Sequence, residues 1–325
     1  MRIPAILVFG ATASGKTDFA VSVFGSDAKS GLAGTCELIN ADSVQVYKES
    51  IIASARPNRQ ARSAVVHHLV GVRNGNEEFS ASDFVHEADL LCREIFQRAK
   101  VPVLIGGSAF FLKNFLYNLP ATPQADPVIR KNLQADLKQF GEKVMYERLK
   151  ICDPVSARRL NEKDHYRVLR ALEVYEQRKI PLSSYKLPTE FRNEYRFLIL
   201  TLTRPREILY RRIDARVEAM FEAGLVEEFL SLYEKGYRKE SPIMKAIGYS
   251  EFFQFSTEQF SQLSESNRDE LKRLIQRDTR RYAKRQETFF KKISCNTVVN
   301  LEKPEEVQAA IQKMKCFIDK TSFPH

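Results

Sequence analysis

The chain has 325 residues, of which 43% are hydrophobic and 28% are charged, as is ordinary for a folded protein with one large or two modest domains. No apolar run approaches the roughly 20 residues that a membrane helix needs. The five cysteines are scattered and contain no C-x-x-C pair. The composition therefore argues against a membrane partner, a disulfide framework and a paired-cysteine zinc site. It favours reduced thiols and a cytoplasmic location.

Charge is distributed unevenly along the chain. The net charge is +10, yet residues 1–120 carry 12 basic and 11 acidic residues, whereas the remainder carries 39 and 30. A nearly neutral front and a basic remainder indicate a polyanionic partner for the second part. A solvated basic surface is the alternative, and charge alone does not separate the two.

The N-terminal segment predicts a strand followed by a phosphate-binding loop. Residues 3–9 are apolar, and residues 10–17 read GATASGKT, which fits the pattern G-x-x-x-x-G-K-[ST]. In such a loop the backbone N–H groups surround phosphate oxygens, the lysine reaches the terminal phosphate and the final hydroxyl binds Mg²⁺. A chance glycine-rich turn is the alternative. The residues predicted to bind phosphate are Gly10, Ala11, Thr12, Ala13, Ser14, Gly15, Lys16 and Thr17.

Strand-like and helix-like segments alternate after this loop. The predicted elements are a helix at residues 18–24, a strand at 37–40, a short possible strand at 67–72, a helix at 80–100 and a buried strand at 101–107, followed by another helix. Ser80 or Ser82 would cap the helix at 80–100. This alternation predicts an α/β fold with a parallel, doubly wound sheet flanked by helices.

The character of the sequence changes near residue 120. Residues 126–185 are helical, polar and free of strand patterns, which indicates a helical insertion. The later elements are a strand at 195–202, helical stretches at 205–235 and 268–292, a strand at 296–301 and a helix at 304–319. We therefore predict a P-loop-type core domain at residues 1–120 and 190–325, and a mostly helical insertion domain at residues 121–189.

Asp42 follows the predicted strand at residues 37–40. Ligands bind at the carboxyl ends of strands in α/β sheets, and an aspartate there can bind Mg²⁺, orient water or accept a proton. A structural turn or helix cap is the alternative. A typical ATP-hydrolysing protein would carry another strand that ends in aspartate, but the strand at 101–107 ends in Gly-Gly and is followed by Ser108. This difference weakens an ATPase interpretation.

The histidines and basic helices complete the list of candidates. His67 and His68 are adjacent, so on a strand they point to opposite faces and cannot share a metal; they and His165 favour packing roles. Residues 268–292 hold ten basic and four acidic residues. The basic stripe consists of Arg273, Arg277, Arg280, Arg281 and Lys284. It favours contact with an RNA or DNA backbone over simple solvation.

Gly248 and Tyr249 follow one another between predicted helices. They fit a tight corner that presents an aromatic ring for base stacking, and they equally fit a packed turn. The residues alone do not decide between the two.

Taken together, the segments resemble the tRNA dimethylallyltransferase family. The matching segments, in the family's order, are residues 10–17 (GATASGKT), 41–47 (ADSVQVY), 54–57 (SARP), 67–70 (HHLV), 79–84 (FSASDF), 105–108 (IGGS), 153–154 (DP), 164–174 (DHYRVLRALEV), 220–225 (MFEAGL), 245–250 (KAIGYS) and 283–286 (AKRQ). They extend from residue 10 to about residue 290. The ordered set is specific, although only the phosphate-binding loop is decisive by itself.

The resemblance implies transfer of a dimethylallyl group from dimethylallyl diphosphate to N6 of adenine 37, beside the tRNA anticodon. The loop would hold the donor's diphosphate with Mg²⁺ on Thr17 and Asp42, and Lys16 would stabilise the leaving group. Asp42 would accept the N6 proton, and Ser108 would help to place the amine. The residues implied to contact the anticodon stem-loop are Asp42, Ser43, Val44, Gln45, Ser108, Arg130, Tyr166, Arg167, Val168, Leu169, Arg170, Lys245, Ala246, Ile247, Gly248, Tyr249 and Ser250. We expect a monomer.

The sequence departs from the family pattern at three positions. Ala11 occupies a position where proline is usual, Ser108 one where threonine is usual and Phe289 one where tryptophan is common. Ser108 keeps the hydroxyl, and Ala11 leaves the backbone donors in place. A C-terminal cysteine/histidine finger is absent from the sequence, so it resembles the compact bacterial form.

Three rival functions deserve comparison. A small-molecule kinase would share the loop and the strand-end aspartate, but it would consume a nucleoside triphosphate without RNA. An RNA-binding GTPase-like module would need a guanine-reading motif such as N-K-x-D, which the sequence lacks. An isopentenyltransferase that acts on a free nucleotide would not need the basic helical part of the chain to bind its substrate.

Overall fold

The larger part of the molecule is built on a parallel β-sheet. The computed structural model describes residues 2–294 and 296–323, and within these residues six strands form one sheet in the order β3-β2-β4-β1-β5-β6. The strands are β1 (Ile3–Gly10), β2 (Cys36–Asn40), β3 (His67–His68), β4 (Val101–Gly106), β5 (Tyr195–Thr203) and β6 (Asn296–Asn300). All of their pairings are parallel. The predicted α/β fold with a parallel sheet is confirmed.

Helices cover this sheet, which explains why its central strands are continuously apolar. Every residue of β2 and β4 is buried. The helices of this part are α1 (Lys16–Phe24), α2 (Arg59–Ala64), α3 (Ala81–Gln97), α4 (Ala109–Tyr117), α8 (Arg206–Glu222), α9 (Leu225–Glu234), α10 (Thr257–Ser261), α11 (Glu265–Phe290) and α12 (Pro304–Asp319). Ser80 is the cap of α3, because its side chain accepts from the Asp83 N–H in a capping box.

Two elements differ from the sequence-based expectations. The strand expected at residues 67–72 ends at His68, because Leu69 and Gly71 have positive φ angles of 58° and 64° that a strand cannot accommodate. The helical stretch expected at residues 205–235 is divided into α8 and α9. Gly224, with φ of 95°, caps the start of α9 and separates the two helices.

The chain divides into two compact units, residues 1–116 with 192–325, and residues 117–191. The smaller unit contains α5 (Pro127–Cys152), α6 (Pro154–Arg159) and α7 (His165–Arg178), followed by a short 3₁₀ turn at Leu182–Ser184. Gly141, with φ of 79°, interrupts α5. The unit has a core of its own, formed by Leu133, Met145, Leu149, Ala157, Val168, Ala171 and Leu172.

Four of the five cysteines lie among the described residues. Cys36 and Cys92 are buried, Cys152 is half-buried and Cys316 is exposed, and these four are unpaired. Cys295, which was expected to be a reduced thiol with the others, lies outside the described residues. Among the described residues, the helices are all too short or too polar to cross a membrane.

Candidate active site

The phosphate-binding loop connects the end of β1 to the start of α1. Its backbone turns sharply, with positive φ angles of 61° at Ala13 and 98° at Gly15. A Cβ atom on Gly10 would lie 2.6 Å from Ser14 Oγ, so a larger residue there would force the Ser14 side chain to move. The loop thus brings the first backbone N–H groups of α1 to the carboxyl edge of the sheet, where a helix N-terminus attracts anions.

Lys16 folds back over this loop. Its Nζ atom donates hydrogen bonds to Gly10 O and Ala11 O, each at 2.9 Å. Burial lowers the pKa of Lys16 to about 8; the negative charge of Asp42 acts in the opposite direction and the positive charge of Arg216 in the same direction. The ammonium is therefore held in a partly desolvated setting close to a carboxylate and a guanidinium.

A cavity of about 350 Å³ opens beside the loop. Residues from the loop, from the ends of β2, β3 and β4, and from α8 and α11 surround it. They are Thr12, Ala13, Gly15, Lys16, Thr17, Asp18, Leu38, Asn40, Asp42, Gln45, Ala55, Pro57, His67, Ile105, Gly106, Gly107, Arg212, Arg216, Tyr282 and Gln286. Most of the predicted phosphate-binding residues and Asp42 thus share one cavity.

Arginines from the connection after β5 and from α8 reinforce the loop. Arg204 Nε donates to Ser14 O at 2.8 Å, and Arg212 Nε donates to Ala13 O at 2.9 Å. Arg216 lies one turn further along α8 and also lines the cavity. Burial lowers the pKa of Arg216, whereas the charge of Asp42 raises it. Sequence reasoning missed these arginines, although the spacing of Arg212 and Arg216 places them on one face of α8.

Asp42 serves as a turn residue and also lines the cavity. Its Oδ1 atom accepts from Val44 N at 2.9 Å and from Gln45 N at 3.2 Å, which forms an Asx turn. The carboxylate lies on the cavity wall with Lys16. The two roles that the sequence left as alternatives are therefore compatible in one side chain.

Ser108 lies next to this turn. Its Oγ atom accepts from Ser43 N at 2.9 Å and donates to Ser43 Oγ at 3.2 Å, and the residue is buried. The hydroxyl of Tyr282 also forms a hydrogen bond with Ser108. This bond lowers the pKa of Tyr282, but burial has the larger effect and raises it to about 12. The hydroxyl that the resemblance implicates is thus fixed beside the strand-end carboxylate.

Gln286 joins three distant parts of the site. Its Oε1 atom accepts from Thr12 N at 2.9 Å, and its Nε2 atom donates to Gly107 O at 2.7 Å. The residue is buried, so both of its amide atoms are satisfied by backbone groups on either side of the cavity. The sequence signal for Gln286 was its place in the segment at residues 283–286, which carried no assigned role.

The segment at residues 245–250 is packed against the loop that follows Asp42. Glu228 accepts from Ile52 N at 2.8 Å and from the Tyr249 hydroxyl at 2.6 Å. Gly248 has φ of 102°, and a Cβ atom there would lie 3.1 Å from Ala53 Cβ. Tyr249 is fully buried, so the packed-turn alternative is the correct one and its ring is unavailable for base stacking. Lys245 is the exposed basic residue of this segment.

Within residues 117–191, the residues implicated in RNA contact form two groups. Tyr166 is exposed, the Arg167 side chain is 70% exposed, and the Arg130 guanidinium lies 5.6 Å from the centre of the Tyr166 ring. Arg130 and Arg170 both pair with the buried carboxylate of Glu173, at 3.0 and 3.1 Å. The side chain of Val168 is buried in the core of this unit, so it is not available for direct RNA contact, whereas the half-buried Leu169 packs against that core.

The basic stripe of α11 is paired more fully than its sequence suggested. Arg273 contacts Glu270, and Arg277 and Arg281 both contact Asp278. Arg280 reaches Asp214 of α8 at 2.6 Å. These acidic partners neutralise part of the stripe, which therefore presents less net charge than a count of its basic residues implies.

The adjacent histidines have separate surroundings. His68 contacts Glu37 at 2.7 Å. The packing role expected for His67 is incomplete, because this residue also lines the cavity. Its Nδ1 atom lies 2.8 Å from Val65 O, and burial lowers its pKa. In the part of the chain that the structure describes, no cluster of three or more histidine, cysteine or acidic residues could bind a metal by itself.

Comparison with known proteins places this arrangement in a family. The family model described as IPP transferase matches residues 45–293. A Syntrophotalea carbinolica protein named tRNA dimethylallyltransferase 1 is 37% identical over 98% of this chain and 96% of its own length. A Geobacter sulfurreducens tRNA dimethylallyltransferase is 38% identical over 88% of each chain.

Solved structures of such enzymes also share the fold. The tRNA isopentenylpyrophosphate transferase of Bacillus halodurans has a TM-score of 0.68 and 27% identity, with 98% of each chain covered. A eukaryotic dimethylallyltransferase that acts on tRNA has a TM-score of 0.79 and 25% identity over 99% of this chain and 81% of its own. These similarities extend over nearly the whole chain. The chain belongs to the IPP transferase family.

Proposed function

We propose that this enzyme transfers a dimethylallyl group from dimethylallyl diphosphate to N6 of adenine 37 in the anticodon stem-loop of tRNA and releases diphosphate. The observation that carries the proposal is a single cavity that combines the phosphate-binding loop, basic side chains and the Asp42 carboxylate. The names of the relatives at 33–39% identity support the same reaction.

The loop and its neighbouring cations act on the leaving group. An exocyclic adenine amine is a weak nucleophile, so stabilisation of the charge that develops on the departing diphosphate lowers much of the barrier. Loop N–H groups, Lys16, Arg212 and Arg216 surround the position where that charge develops.

The Thr17 hydroxyl fits a Mg²⁺ site close to the Asp42 carboxylate, because Mg²⁺ typically binds one or two protein oxygens together with substrate phosphates. Both side chains line the cavity. When bound there, Mg²⁺ would supply further positive charge to the diphosphate oxygens.

Asp42 and Ser108 act on the amine. The nitrogen lone pair forms a bond to C1 of the allylic group, the C1–O bond breaks, and its electron pair leaves with diphosphate. Asp42 accepts the N6 proton, and because its Oδ1 atom is held by Val44 N and Gln45 N, its Oδ2 atom is the acceptor. Ser108 helps to place the amine through its fixed hydroxyl. The adenine reaches the cavity by leaving its stack, which costs a few kcal/mol.

We propose two surfaces for RNA. One is the group of Arg130, Tyr166 and Arg167, in which basic side chains accompany an exposed aromatic ring. The other comprises residues 42–45 and Lys245. Phosphate contacts by such basic residues position an RNA without reading its sequence. The enzyme acts on its tRNA as a monomer in this proposal.

The small-molecule kinase is not favoured. It shares the loop and the strand-end aspartate, but the relatives that match nearly the full chain are named tRNA dimethylallyltransferases. In addition, β4 ends at Gly106 and continues to Gly107 and Ser108 without a second carboxylate.

The test is incubation of the purified enzyme with unmodified tRNA and labelled dimethylallyl diphosphate, with ATP as a competing donor. We expect label on adenine 37, and none on a matched tRNA that carries guanosine at that position. Consumption of ATP with unlabelled RNA would reject the proposal in favour of a kinase.

A further inference from the structure

One part of the cavity is apolar and remains unassigned by the mechanism above. The loop, Lys16, Arg212 and Arg216 surround the diphosphate, and Asp42 receives the amine. The remaining wall includes polar side chains such as Asn40 and Gln45, and it also includes a group of carbon-rich side chains. We name Leu38, His67 and Ile105 the inner wall; Ala55 and Pro57 line the cavity with it.

Strand register explains why the inner wall is a single surface. Leu38 of β2 pairs with His67 of β3, and Asn40 of β2 pairs with Ile105 of β4. Residues that are paired in register, or two apart on one strand, point to the same face of a sheet. Leu38 precedes the end of β2 by two residues, so it lies about 6–7 Å deeper than Asn40.

Leu38 lines the cavity from within the hydrophobic core. This residue is 0% exposed and belongs to the buried core that also contains Val65 and Val103. His67 is held by the contact of its Nδ1 atom with Val65 O, and its lowered pKa keeps the ring neutral near pH 7. The inner wall is therefore uncharged, and its deepest member has packed side chains behind it.

We infer that Leu38, at the bottom of the inner wall, limits the allylic donor to five carbons. The inference rests on the proposed function, which puts the donor's diphosphate on the loop and leaves this wall for its hydrocarbon tail. A donor with a longer tail would meet the Leu38 side chain. Each methylene that finds room in an apolar pocket changes affinity roughly fourfold, so a pocket that is one residue deeper would alter donor choice measurably.

The experiment compares Leu38→Ala with Ile39→Ala. Both residues are 0% exposed and adjacent on β2, but Ile39 points to the opposite face and does not line the cavity. For the wild type and both variants, kcat/KM is measured with dimethylallyl diphosphate, with analogues whose terminal methyl is lengthened by one or two carbons, and with geranyl diphosphate. Leu38→Val is a milder second variant, in case the alanine variant does not fold. Thermal unfolding is followed for each protein.

We expect Leu38→Ala to raise the ratio of two-carbon-extended to dimethylallyl transfer by at least tenfold, and Leu38→Val to raise the one-carbon ratio about fourfold. Ile39→Ala should leave both ratios at the wild-type value. The inference is overturned if the Leu38 variants keep the wild-type ratios, if Ile39→Ala changes them equally, or if the wild type already uses geranyl diphosphate well. Failure of the wild type to transfer even the dimethylallyl group would instead refute the proposed function, and the inference with it.

Discussion

At the scale of single residues, Asp42 has two duties that one substitution can separate. Its Oδ1 atom holds the turn through Val44 N and Gln45 N, while the carboxylate charge is needed to accept a proton. Asparagine keeps an oxygen acceptor for the turn but cannot act as the base. We expect Asp42→Asn to lower kcat by 10²–10⁴-fold, the usual contribution of a general base, with tRNA affinity within a few-fold.

Single-turnover transfer and RNA binding measure these two effects. Asp42→Ala, which also removes the turn acceptor, should abolish transfer while tRNA binding again stays within a few-fold. Near-normal product formation by Asp42→Asn would show that another group is the base.

Lys16 gives the donor site a pH dependence. Burial lowers the pKa of Lys16 to about 8, so in the unliganded enzyme the ammonium loses its proton as pH rises through about 8. Since the protonated form attracts diphosphate, we expect affinity for inorganic pyrophosphate to fall above pH 8, by at most tenfold per pH unit. Calorimetric titration at several pH values measures this. Lys16→Gln should bind pyrophosphate weakly, and its affinity should show no inflection near pH 8. The same inflection in that variant would show that another group titrates there.

At the scale of elements, Gln286 connects α11 to both sides of the cavity. Gln286→Ala would leave Thr12 N and Gly107 O without their buried partner, and each unsatisfied group costs about 1–3 kcal/mol. We therefore expect a loss of about 2–6 kcal/mol in the free energy of unfolding, together with weaker donor binding. Denaturant titration measures the first quantity. The neighbouring exposed residue Arg285 offers the control, because Arg285→Ala should change stability by less than about 0.5 kcal/mol.

The basic stripe of α11 makes a separate prediction. Each phosphate contact contributes about 0.7–0.9 to the slope of log affinity against log salt concentration. If the stripe binds RNA, neutralising Arg277, Arg280 and Arg281 should flatten that slope by about 2. Because these side chains already pair with Asp278 and Asp214, an Asp278→Asn variant should steepen the slope. If the triple arginine variant and Asp278→Asn both keep the wild-type salt dependence, the stripe only faces solvent.

At the scale of the whole molecule, the smaller unit begins and ends at one place. Arg192 N donates to Leu116 O at 3.0 Å, so the two points where residues 117–191 leave the chain are already adjacent. Replacing these residues with a short Gly-Ser linker should leave the sheet intact and pyrophosphate affinity within a few-fold. Loss of Arg130, Tyr166 and Arg167 should greatly weaken tRNA binding. Retained tRNA affinity would contradict the proposed RNA surface of this unit.

The sequence was sufficient to predict the structure of those parts that are determined by neighbours in the chain. The apolar residues of β1, the loop and the start of α1 are consecutive in the chain. It was insufficient to predict contacts between residues that are distant in the chain. Gln286 contacts Thr12 across 274 positions and Arg212 contacts Ala13 across 199, and no local periodicity encodes such pairs. The sequence does not show whether the Tyr249 ring is exposed or packed for the same reason, because Glu228 and the loop that bury it lie elsewhere in the chain.

The bond of Lys16 to Gly10 O and Ala11 O has a consequence for the catalytic cycle. An ammonium has three hydrogens, and the main chain holds two of them when the donor is absent. An arriving anion can accept the third hydrogen first and displace the carbonyls afterwards. Release follows the reverse order, in which the two carbonyls recover their hydrogens first and the anion leaves last. The charge thus keeps a partner at every stage, and the enzyme resets between turnovers without exposing a bare cation.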